Sequence, residues 1–254
     1  MQSPARFFFV AASCLFAAAA VQPAQQPPPA SQAESPKPQI SPEMRGDIYM
    51  ARRMYREAID VYRSIQPPTA VILNKIGIAF QQLGDLNSAR KMYERALKLN
   101  KNYPEAINNL GTVHYARRSY RRAVSQYKKA LKLNPDSASI YSNLGTAYFA
   151  RKDYRRAAEC YEKAISLDPD VFERRGTSGV LLQERSVEER ARFHYQLAKV
   201  YAKHGRNDLA LFYMRKSIEE GFKDKKRYLE EEEFAEIRKL PEFEEIIKIE
   251  PRVL

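Results

Sequence analysis

The residues best suited to hold a metal or activate a nucleophile are His114, His194 and His204, with Cys160 the sole cysteine after Cys14. A zinc site draws on cysteines or histidines paired a few residues apart, and each of these stands alone in the sequence. The run Gly176, Thr177, Ser178, Gly179 lacks the lysine of a phosphate-binding loop, and no serine occupies a Gly-x-Ser-x-Gly turn. Carboxylates are abundant but scattered, so no two of them present themselves as an acid and a base. The sequence therefore predicts no catalytic residue, no metal, no cofactor and no small-molecule substrate. It reads as a binding protein, not an enzyme.

Charge is the chemistry that does stand out. The formal net charge is +12, and residues 44–163 hold 23 basic against 10 acidic residues, while the flanking segments nearly cancel. Within that stretch the cations cluster: Arg52, Arg53 and Arg56 recur as Arg117, Arg118, Arg121 and Arg122, and again as Arg151, Lys152, Arg155 and Arg156. Such an edge could meet an anionic membrane surface or an acidic polymer, or could serve only to keep the protein in solution. Nucleic acid is the less expected partner, because the arginines lack interleaved stacking platforms.

The clusters recur because the chain does. At a shift of 34 residues five columns align without a mismatch: Gly77, Gly111, Gly145; Ala89, Ala123, Ala157; Tyr93, Tyr127, Tyr161; Ala96, Ala130, Ala164; Leu99, Leu133, Leu167. Ile107, Leu110, Gly111 and His114 fall at helical spacing, as do Ala123, Tyr127 and Ala130, so each copy predicts two amphipathic helices. Gly and Ala are expected where helices cross closely, with the Tyr and Leu columns filling space between neighbouring hairpins. His114, in the column of Phe80 and Tyr148, reads as a packed core histidine. Asn134-Pro135-Asp136 and Asp168-Pro169-Asp170 end second helices and offer caps to the next.

Asn109, Leu110, Gly111 and Thr112 through Tyr115, followed by Ala123, Tyr127, Ala130 and Pro135, resemble a tetratricopeptide repeat in length, small-residue columns and terminal proline. The resemblance implies an all-α, right-handed solenoid of about five helical hairpins, closed by a C-terminal helical cap. It also implies a concave groove lined by first helices that binds a protein or peptide partner. The groove residues carried over are Asn74, Ile78 and Gln81, then Asn108, Asn109, Thr112 and Tyr115, then Ser142, Asn143, Thr146 and Phe149. Amides and hydroxyls beside aromatics suit peptide-backbone hydrogen bonds with one or two apolar anchors.

Around the array the chain changes character. Residues 1–20, with Arg6 before an apolar run from Phe7 to Val21, read as a secretory signal peptide with a small-residue cleavage site after Ala20. An uncleaved anchor or a lipid on Cys14 is the alternative, and either way the array would lie outside the cytoplasm, periplasmic in a two-membrane cell. Residues 21–42 are rich in Pro and Gln and read as a linker. Repeat copies one to four are expected over 43–171, an inserted loop over 172–190, a diverged fifth copy over 191–222, and capping helices over 223–250. Ser186 and Glu189 form a capping-box pattern before the fifth copy. In that copy Ser217 replaces the alanine of its column, and beyond it Glu230–Glu233 reads as a solvated acidic face. The function expected is an extracytoplasmic adaptor for envelope or secretion-complex assembly.

Overall fold

The computed structural model describes residues 40–173 and 186–251. Among these, helices follow one another as α1 (Pro42–Ala51), α2 (Tyr55–Arg63), α3 (Ala70–Gln82), α4 (Leu86–Leu99), α5 (Pro104–Ala116), α6 (Tyr120–Leu133), α7 (Ala138–Ala150), α8 (Tyr154–Leu167), α9 (Val187–Lys203) and α10 (Asn207–Glu219). Two short helices end the chain, α11 (Lys226–Glu230) and α12 (Pro241–Ile247), with 3₁₀ turns between them at Glu232–Phe234 and Ile237–Lys239. Each odd helix through α9 packs antiparallel on the even helix after it, and each of the first four hairpins leans on the next. The fold is thus a solenoid of five helical hairpins with a helical cap. The predicted signal peptide lies outside the described residues, as do most of the linker and residues 174–185 of the insert.

Two boundaries differ from the sequence reading, both through capping. Ser41 and Pro42, assigned to the linker, open α1: Ser41 Oγ accepts the Met44 N–H at 3.2 Å, and Pro42 sits where a missing amide is harmless. Likewise α9 starts at Val187, inside the range given to the insert but where the Ser186–Glu189 capping pattern expected a helix to open: Ser186 Oγ accepts the Glu189 N–H at 3.2 Å. At the third junction Ser137, and not Asp136, caps α7, accepting from the Ile140 N–H at 3.4 Å.

Each of the first four hairpins closes on one glycine–tyrosine pair. A Cβ placed on Gly46, Gly77, Gly111 or Gly145 would lie 2.3–2.6 Å from Cε1 of Tyr62, Tyr93, Tyr127 or Tyr161 respectively. The tyrosine therefore fills the interior of its own hairpin, pressed on the first helix where side-chain bulk is absent. This corrects the expectation that tyrosine packs between hairpins, since only within a hairpin do the two columns face each other. The leucine column is corrected as well: Leu99 is 61% exposed and Leu133 40%, so the last turn of each second helix leaves it outside the core.

The last hairpin and the cap continue the core of the third and fourth hairpins, but build it from aromatic rings and cap residues. Tyr228, Phe234, Ile237, Phe243 and Ile246 are all at most 2% exposed and pack with Tyr195 and Phe222. Tyr195 stacks on Phe222 at 4.4 Å between centroids and meets Tyr228 edge-on at 5.5 Å. Ser217 explains itself here, because its Oγ lies 2.9 Å from the Tyr228 hydroxyl that donates to it. The acidic run is not simply a solvated face. Glu230 and Glu232 are exposed, but Glu231 takes the Tyr195 hydroxyl and the Arg227 guanidinium, and Lys199 reaches Glu231 at 3.1 Å and Glu233 at 3.2 Å. Burial alone would raise the Glu231 carboxyl; these donors outweigh it and hold the pKa below its ordinary value.

Candidate inner face and basic edge

First helices approach one another across repeats, α3 to α5 and α5 to α7, more closely than second helices do, so they line the tighter, inner side of the stack. Along that side runs a chain of amides. Asn143 Nδ2 donates to Asn108 Oδ1 at 3.1 Å, Asn108 Nδ2 to Asn109 Oδ1 at 3.4 Å, and Asn109 Nδ2 to Asn74 Oδ1 at 3.0 Å. Asn74 in turn donates to the Tyr103 hydroxyl at 3.4 Å. At the first junction the same register holds a charged version, with Lys75 Nζ 2.8 Å from Glu43 and 2.7 Å from Asp47. Each ladder joins one repeat to the one before it.

Most of the other groove residues are also drawn into the fold's own hydrogen bonding or ring packing. Gln81 Oε1 accepts from the Tyr93 hydroxyl at 3.0 Å, and Thr112 Oγ1 from that of Tyr127 at 3.3 Å. In the first hairpin Asp47 does the same for Tyr62 at 2.6 Å. Buried tyrosine hydroxyls need such partners, and the first helix supplies them, from the residue after its glycine (Asp47, Thr112) or one turn further on (Gln81). Ser142 and Thr146 bond the carbonyls of Ser139 and Ser142 in their own helix, at 2.9 and 2.8 Å. Tyr115 pairs with the Tyr120 ring at 5.2 Å, and Phe149 with Tyr154 and Phe193 at 5.2 and 5.7 Å.

Exposure then divides the predicted groove. Ser142, Asn143, Thr146 and Phe149 are 3–5% exposed, and Asn74 and Tyr115 are also buried, so these six do not offer an open surface. Ile78, Gln81, Asn108, Asn109 and Thr112 are half-buried, on the second and third hairpins. Sequence columns gave both groups the same standing; what covers a residue is set by its neighbours in space.

The predicted basic residues occupy the inter-helix turns and the first turn of the second helix in the first, third and fourth hairpins. Arg52, Arg53, Arg56, Arg117, Arg118, Arg121, Arg122, Arg151, Lys152, Arg155 and Arg156 are all exposed. In the third and fourth hairpins they merge, because Arg151 joins Arg118, Arg121 and Arg122 around a shallow open cleft of about 690 Å³ that also includes Ser119 and Tyr120. Arg117 donates to Asn87 of the preceding turn, tying the second turn to the third. Arg155 and Arg156 are paired, with Glu159 at 2.8 Å and Asp153 at 3.1 Å.

These features decide the family. Tetratricopeptide repeat models match residues 43–102, 108–171 and 191–220. The chain belongs to the tetratricopeptide repeat family. Among solved structures, the Cut9–Hcn1 hetero-tetramer of the APC/C is 19% identical over 78% of this chain and 35% of that one, with a TM-score of 0.52. MamA is 24% identical over 71% of this chain and 96% of its own, with a TM-score of 0.48. YrrB, described as a TPR protein with an unusual peptide-binding site, is 27% identical over 50% and 67%, with a TM-score of 0.44. No curated protein matches the sequence.

The remaining chemical candidates are bound up in packing. Burial and the nearby Arg122, Arg117 and Arg90 lower the pKa of His114, which is half-buried and thus less enclosed than the core histidine expected. Burial pushes the Cys160 thiol up to about 12, which keeps it protonated at neutral pH. His194 sits 2.7 Å from Glu220, beside Arg190 at 3.3 Å. Among the described residues no group of His, Cys, Asp and Glu is placed to hold a metal, and no helix is long and apolar enough to cross a membrane.

Proposed function

We propose that this tetratricopeptide array is an extracytoplasmic adaptor that holds a segment of a partner protein along the inner face of its second and third hairpins, in the assembly of envelope or secretion components. The observation that carries the reading is the half-exposed amide pair Asn108 and Asn109. Each of these amides uses one N–H and one carbonyl lone pair in the ladder, and each has a second N–H and a second lone pair for an extended peptide backbone. Ile78 beside them offers an apolar anchor, and the rigid ladder holds the amides in place before the partner arrives, which lowers the entropic cost of binding. The apolar N-terminal run supports the extracytoplasmic half of the proposal.

In-cell crosslinking followed by co-purification tests it. A partner captured by the unaltered chain is expected to be lost from Ile78→Glu and from Asn109→Asp; because Ile78 is half-buried against Leu110 and Val113, the thermal midpoint of each variant is measured alongside, and loss from a variant still folded at the assay temperature supports the reading. Equal recovery of that partner from Ile78→Glu and from Asn109→Asp would remove the inner face from consideration. Separation of the captured complex with the cytoplasmic fraction would remove the compartment.

A further inference from the structure

The turn between the two helices of each hairpin passes through one residue of left-handed backbone, always in the same column. That residue is Gly84 in the second hairpin (φ 79°) and Gly205 in the fifth (φ 68°), but Arg53 (φ 60°), Arg118 (φ 57°) and Lys152 (φ 62°) in the first, third and fourth. Glycine enters this region freely, whereas a side chain meets the following carbonyl. Three of the five turns thus carry a long cation where the backbone favours none; of these Arg118 lines the merged basic cleft, and Lys152 directly follows Arg151 of it in the chain.

We infer that this cluster docks the array on a bilayer bearing anionic lipids, through Arg118, Arg121, Arg122, Arg151 and Lys152. Among the described residues none of the five is paired with a carboxylate, so their charge is available to a partner. All are exposed, Arg118, Arg151 and Lys152 in two neighbouring turns and Arg121 and Arg122 in the first turn of α6. A protein partner would need an apolar centre to exclude water, and this cluster has none: its one aromatic, Tyr120, is half-buried against Tyr115. For the same reason it lacks the exposed rings on which single-stranded bases stack. Headgroups require only charge at short range, and that is what the cluster presents.

The test is partition of the full chain between vesicles of mixed phosphatidylglycerol and phosphatidylcholine and vesicles of phosphatidylcholine alone. The ratio of the two cancels any insertion of the N-terminal apolar run. The unaltered chain is expected to favour the anionic vesicles, less so as salt rises. The double variant Arg118→Gly/Lys152→Gly should lose about fivefold of that preference per cation removed, with a thermal midpoint equal to or above that of the parent. Lys132→Gln, which removes a charge near the other end of α6, should keep the preference. An unchanged preference in the double variant, an equal loss in Lys132→Gln, or binding to polyglutamate with none to anionic vesicles would each overturn the inference.

Discussion

The first four hairpins and the fifth solve one packing problem in two ways. In the former a glycine on the first helix admits a tyrosine from the second; in the latter the same columns hold Ala198 and Met214, both fully buried. A methyl group gained on one side accompanies a ring lost on the other. The neighbours differ too. The first four hairpins meet over adjoining helix faces, whereas α8 meets α9 less closely, and aromatic rings centred on Phe193 bridge the step at 5.6 Å to Tyr161 and 6.4 Å to Phe172. The fifth hairpin depends on the cap for its other side: Tyr213 reaches back to Glu173 at 2.7 Å, while Tyr195 and Ser217 face forward to Glu231 and Tyr228. A regular repeat is held by its own column residues and its neighbours, and an end repeat by whatever replaces the missing neighbour.

Four perturbations separate the two arrangements. Phe234→Ala should act most strongly, costing about 3–5 kcal/mol. Hydrogen exchange should show the loss of protection confined to α9, α10 and the cap, while α3 to α6 stay protected; a uniform loss would mean that the two regions unfold as one. Next, Gly111→Ala should cost about 1–3 kcal/mol by forcing Tyr127 off the first helix. Adding Tyr127→Met to it should recover part of that loss in denaturant melts, transplanting the fifth hairpin's pair into the third; no recovery would show that the two columns are not coupled.

Ser217→Ala leaves the buried Tyr228 hydroxyl without its acceptor and should cost about 1–2 kcal/mol. Placing serine at the matching Ala130 should bring no compensating gain, because no cap tyrosine faces that position. The smallest effect expected is the acid response. The carboxyls of Glu231 and Glu220 are held below the ordinary glutamate value of 4.5: burial opposes this, but Tyr195, Lys199 and Arg227 outweigh it at Glu231, as His194 and Arg190 do at Glu220. A depressed folded pKa stabilises the fold above the unfolded value and ceases to do so as pH falls through the folded one. The fifth hairpin and cap should therefore loosen below about pH 4.5 ahead of the third hairpin, and exchange measured across that range would show it.

How much could be read from the chain differs between fold and site. The 34-residue columns determined the helical hairpins, because Gly and Ala at helical spacing admit close crossing whatever lies outside the repeat. Ser186 announced the start of α9 for a similarly local reason, a side-chain oxygen within reach of an N–H three residues on. The cation clusters, too, were visible as types and spacing. What escaped were relations between residues far apart in sequence: that the tyrosines fill their own hairpins, that Gln81 and Thr112 are acceptors for them, and that Asn74, Asn109, Asn108 and Asn143 bond one another. The sequence could say which residues lie on the first helices' inner side. Only the tertiary structure decided which of them the fold uses for its own hydrogen bonds and which remain within reach of a partner, because burial and pairing depend on elements about one repeat or more away in the chain.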